Sequence, residues 1–147
     1  MNSLNLDVAH LLAGLLVLLS FVELYQDRLT ALLRIFAMHA LILALSVAWQ
    51  AHVQHSPHLY VTAAIALFFK AILIPAVLHR IIVRLGIHRE LDTVIGIGLT
   101  MLAGVGLVAL SLIVMMHTVT GADPLAREDL ALALAVVLLG LLMMVTR

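Results

Sequence analysis

The chain has 147 residues, of which 65% are hydrophobic and 11% charged, and its formal net charge at pH 7 is zero. A soluble domain is about half apolar and about a quarter charged, so this composition, with a mean hydropathy of +1.22, reads as an integral membrane protein. Neutrality excludes a bulk electrostatic pull toward nucleic acid, and the absence of cysteine removes disulfides, thiolate catalysis and sulfur-ligated metals.

A helix needs about 20 mostly apolar residues to cross a bilayer. Five stretches meet or approach that length, and none shows the apolar/polar alternation of a barrel strand. The expected fold is therefore all-α, a single membrane domain over 1–147 with spans near 8–25, 29–53, 58–85, 93–116 and 129–146. Ahead of the first span, "MNSLNLD" carries no basic residue and no short apolar run leading to a cleavage site, so that span is expected to be retained. Glu23 lies in its last turn.

Span two begins with Arg28 and carries Arg34 about a turn and a half further in. The depths of Glu23 and Arg34 permit an ion pair near one mouth of the bundle, although interfacial anchoring of both is the simpler reading. His39 lies about ten residues from the start of the span, or roughly 15 Å deep at 1.5 Å per residue. The following "AHVQHSPH" brings His52, His55 and His58 together, but their spacing matches no i, i+4 metal pair and no carboxylate or cysteine assists. This segment reads as a solvated loop.

Span three contains Lys70 near its middle. An ionisable side chain at that depth costs from about 2.5 to more than 10 kcal/mol and normally faces a bundle interior or an aqueous path. Pro75 has no N–H, which should leave the Ala71 carbonyl without its helical partner and kink the helix. Lys70 and His39 fall at similar depths on consecutive antiparallel helices; histidine titrates near neutrality, and lysine can be driven there by burial. Such a pair is suited to passing a proton; a lysine that snorkels or only pins two helices, and a hydrogen-bonded, inert histidine, are the alternatives. His79 with Arg80, and His88 with Arg89, read as anchors at the membrane face.

Span four, "TVIGIGLTMLAGVGLVALS", spaces Gly96, Thr100 and Gly104 four residues apart, and Gly98 and Gly106 eight apart. Such a stripe allows close helix approach, here expected mainly within the chain. Spans four and five lack internal charge and read as packing walls. Nothing resembles a nucleophile with its base, a phosphate loop or paired haem histidines, so no catalytic residue, metal or cofactor is expected in this chain.

Arg28, Arg34, Arg80, Arg84, Arg89 and Arg147 fall on one side of an up-and-down bundle. Arg127 falls on the other, beside Asp123, Glu128 and Asp129. The positive-inside rule then puts the N-terminus outside and the C-terminus inside.

The stretch "LLVLLSFVELYQDRLTALLRIFAMHALILALSVAWQAH", followed by "HLYVTAAIALFFKAILIPAVLHRI", resembles the family of the membrane component E of hydrogenase-4 (HyfE). The first three spans are in turn similar to NuoK, the small membrane subunit of complex I, and to its counterpart in multisubunit Na⁺/H⁺ antiporters. The most specific parts are Lys70 with Pro75, the "YQDRLTALL" turn and the order of spans. The resemblance implies that Lys70 holds the place of a buried proton-path acid in NuoK. It also implies that Met38 and His39 stand where a second such acid is found. The family continues with a further three-helix unit, of which the span from 129 would be the beginning.

The resemblance thus implies a non-catalytic subunit of a complex I-like energy-converting hydrogenase, multi-pass in a bacterial or archaeal inner membrane. Its partners would be other membrane subunits of the assembly, the lipid bilayer and protons. Redox chemistry would occur elsewhere, while Lys70, His39, Arg34 and Glu23 contribute to proton translocation. A scaffold bracing larger subunits through the glycine face, or a subunit of a Na⁺/H⁺ antiporter, are the competing expectations.

Overall fold

The computed structural model describes residues 3–86, 96–118, 121 and 124–146. His88, Arg89, Asp123, Arg147 and the start of the expected fourth span at 93–95 lie outside the described residues. Every regular element among those described is helical. In chain order they are α1 (Ser3–Tyr25), α2 (Leu29–Val53), a composite third span, α5 (Ile97–Thr118) and α6 (Pro124–Thr146). The third span consists of α3 (Pro57–Ile65), a π-helical stretch π1 (Ala66–Leu73) and α4 (Ile74–Leu85). Among the described residues, five helical units are long and apolar enough to cross a membrane, the pattern of a multi-pass membrane protein.

Element ends follow local chemistry. Pro57 opens α3 at a position where its missing N–H has no helical partner to lose. Gly86 closes α4 in the left-handed region, φ 62°, which a residue without Cβ adopts at no steric cost. The fifth span begins at Pro124 rather than 129, because proline and the charged residues after it are compatible with a first helical turn. That shift moves Asp129 from the edge of the helix to its second turn.

Consecutive spans run antiparallel. We refer to the end holding the start of α1 as the near end and to the other as the far end. The third span packs on α2, α2 on α1, and α1 on both α5 and α6, which pack tightly on each other. Small residues allow those approaches: Ala40, Ala44 and Ala51 are buried on α2, and Ala131 and Ala135 on α6. Gly104 of α5 sits where an added Cβ would lie 2.9 Å from Phe21 Cε1 and 3.1 Å from Leu139 Cδ2. Trp49 Nε1 donates to the Asn5 carbonyl at 3.3 Å, tying the start of α1 to the end of α2.

Hydroxyls on the apolar helices are satisfied locally, as a medium without water requires. Ser20 donates to the Leu16 carbonyl at 2.9 Å, Ser111 to Val108 at 2.7 Å and Thr146 to Leu142 at 2.9 Å. The third span is the least covered element. Ala63 is its one buried hydrophobic residue among those described, while Ile65, Phe68, Phe69, Ile72, Val77 and Ile81 are exposed.

Candidate functional site: a cavity between the spans

Along α1 the residues Ala9, Ala13, Leu16, Ser20 and Glu23 recur at alternating steps of four and three, which places them on one helical face. The same rhythm on α2 aligns Phe36, His39, Leu43, Ser46 and Gln50. On α6 it aligns Asp129, Leu132, Val136, Leu139 and Met143. The three faces converge on a groove whose middle is a cavity of about 280 Å³. Its wall includes Ser20 and Glu23 of α1, His39 of α2, Val136 and Gly140 of α6, and Lys70 of π1.

His39 Nδ1 lies 3.3 Å from Glu23 Oε1, with 16% and 14% of the two side chains exposed. At these exposures the contact is largely shielded from bulk solvent. Lys70 is exposed in the single chain, yet it borders the cavity that holds the Glu23–His39 pair. A carboxyl, an imidazole and an amine therefore share one space. With a water occupying about 30 Å³, that space has room for several waters to link them.

The backbone beneath Lys70 departs from the expected form. Within π1 the hydrogen bonds step back five residues: the Ile74 N–H donates to the Phe69 carbonyl. In that register the carbonyl facing Pro75 is that of Lys70 itself, whereas α-helical counting points to Ala71. The expected loss of one partner at Pro75 is thus shifted one residue, onto the lysine. π-Helical turns of this kind concentrate at functional positions.

The other candidates fall elsewhere. Arg34 is exposed and does not line the cavity; five residues from His39, it projects about 140° away around the helix. The partner beside Glu23 at 3.3 Å is His39, not the arginine considered from depth alone. Pro75 is at the start of α4. Gly104 and Thr100 are buried inside the chain, with Thr100 Oγ1 donating to the Gly96 carbonyl at 3.2 Å, while Gly96, Gly98 and Gly106 have open space beside them. Gly104 thus packs against α1 and α6 rather than facing outward. Among the described residues no group of three or more metal-ligating side chains comes together, and His52, His55 and His58 are exposed.

Two features escaped the linear reading. The Glu23–His39 pairing needed the helical faces as well as the depths. A second pair, His10 Nδ1 to Asp129 Oδ1 at 3.2 Å, joins α1 and α6 near the near end; the 3–4 spacing through Asp129 was its available signal. Compared with protein-family models, curated proteins and solved structures, the chain matches none.

Proposed function

We propose that the chain is a non-catalytic membrane subunit of a complex I-like energy-converting hydrogenase and contributes one stretch of its proton path. The observation that carries this reading is the shared cavity of Lys70, His39 and Glu23. An ammonium at mid-membrane is tolerated where water and counter-groups reach it, and here both a carboxyl and an imidazole border the same space. Protons would pass between Lys70 and the Glu23–His39 pair through cavity water. Charge at Lys70 would respond to redox events in partner subunits through the field across a low-dielectric interior. The chain would lie in a bacterial or archaeal inner membrane, N-terminus outside, as its arginine distribution favours.

Lys70→Met removes the titratable group while keeping a similar length of apolar stem. Reconstituted in proteoliposomes, the whole complex carrying this variant is expected to retain its redox turnover and subunit content and to lose coupled proton movement. Unchanged proton movement would reject the role.

The exposed third span favours a second reading, in which the chain braces larger membrane subunits without conducting. In that case Lys70→Met leaves proton movement intact, and substitutions on the outer face of the third span release the partners. A Na⁺/H⁺ antiporter subunit would use the same cavity, but an imposed pH gradient alone would then drive cation exchange.

A further inference from the structure

Nearer the end where α1 begins, a second cavity of about 190 Å³ follows the same groove. Among the described residues, six apolar side chains border it, Leu16, Leu132 and Val136 among them, together with the polar Ser46, Gln50 and Asp129. Val136 also borders the cavity of Lys70, so one residue of α6 touches both spaces. The two are successive segments of one groove. Gln50 and His39 are eleven residues apart, as are Asp129 and Gly140, a separation of about 16 Å along a helix. That is roughly half of a 30 Å hydrocarbon layer.

Most of this cavity's wall is apolar, and its polar atoms are concentrated at three side chains. Ala13 and Ala133 leave the width, while Ser46, Gln50 and Asp129 supply hydrogen-bonding atoms along it. Asp129 at its border reaches His10 at 3.2 Å, with 41% of the carboxylate side chain and 22% of the imidazole exposed. The contact lacks hydrogen-bond alignment, and His10 Nε2 is buried without a hydrogen-bond partner among the described residues. A buried donor or acceptor left so is costly, and a water beside it relieves that cost. A space of about 190 Å³ edged by Ser46, Gln50 and Asp129 has both the room and the partners that a water needs.

We propose that this cavity is a water-filled vestibule admitting protons or small cations from the near end to the Lys70 cavity, with the Asp129–His10 pair at its mouth. This inference rests on the proton-path reading and adds its route of entry. The carboxylate at the mouth favours cations over anions, Val136 divides the two spaces, and proton passage requires hydration across that division. The far half of the path is not part of this vestibule: the groove beyond Glu23 is lined by Leu29, Leu33, Phe36, Ile74 and Ile82, and is apolar.

The chain contains no cysteine, so single-cysteine variants can report water access without background. Ser46→Cys and Ala133→Cys are placed in the vestibule, Leu11→Cys on an exposed apolar face of α1 at comparable depth, and His58→Cys on the near end. In native membranes holding the assembled complex, charged membrane-impermeant thiosulfonates are applied from each side. The expected result is modification of Ser46→Cys and Ala133→Cys from the side that labels His58→Cys, with Leu11→Cys unreactive. Cationic reagent should react about tenfold faster than anionic reagent, a bias that adding Asp129→Asn removes. Labelled His58→Cys with unlabelled positions 46 and 133 would mean a dry or lipid-filled cavity and would overturn the proposal. Reaction at 46 and 133 with no cation preference would remove Asp129 from the mouth. Failure of the proton-path reading registers separately, as intact proton movement in Lys70→Met with the labelling pattern preserved.

Discussion

His39 and Glu23 show how one residue's neighbour can reassign its role. Depth alone set the histidine beside Lys70 and merely permitted an ion pair of the glutamate with Arg34, with anchoring of both the simpler reading; helical azimuth brings the histidine and glutamate to 3.3 Å. Replacing His39 with alanine withdraws that partner from a largely buried carboxyl. Polar contacts between membrane helices are worth about 0.5–1.5 kcal/mol, so His39→Ala is expected to destabilise the chain by that amount in a denaturant titration of the detergent-solubilised protein. Glu23→Gln should do the same, and the double variant should lose less than the two separately, since both delete one contact. Strictly additive losses would show that the pair is not coupled. Lys70 was legible from sequence because a charge in a long apolar run has few explanations. The Glu23–His39 pair was not, because each residue lay in a span with several plausible neighbours.

At the level of elements, the five spans were readable because apolar length is a bulk property that local detail does not alter. Their ends were less so: α6 starts five residues before the expected boundary, since hydropathy falls at Ala126–Asp129 although helix formation does not. The π-helical stretch was invisible. Proline at 75 signals a disturbed hydrogen bond but does not reveal whether the chain answers by bending or by widening its turns. The stripe of α5 allows a sharper check. A methyl at Gly104 meets Phe21 and Leu139 inside normal contact distance, whereas one at Gly106 meets open space. Gly104→Ala is expected to cost about 1–3 kcal/mol through overpacking, read as a lower midpoint of thermal unfolding. Gly106→Ala should be neutral or slightly stabilising, because alanine is the better helix former. Equal effects at the two positions would contradict the packing of α5 against α1 and α6.

For the molecule as a whole, exposure is uneven. Phe68, Phe69 and Ile72 of the third span are exposed beside Lys70, and in an assembly this face would meet either lipid or a neighbouring subunit. Ile72→Trp enlarges that face without touching the internal packing. If a subunit covers it, co-purification of partners should fall at least about tenfold, a loss of about 1.4 kcal/mol or more, while the isolated chain unfolds at an unchanged temperature. Undiminished co-purification would assign the face to lipid. The third span also has a mechanical character of its own: α3, π1 and α4 touch the rest of the described chain through α2 alone. It behaves as a leaf hung on one seam, so tilting it deforms a single interface and spares the other four helices. Because Lys70 rides on that leaf, a small swing would carry the ammonium toward or away from Glu23 and His39, and with it the proton exchange proposed above, without unfolding anything.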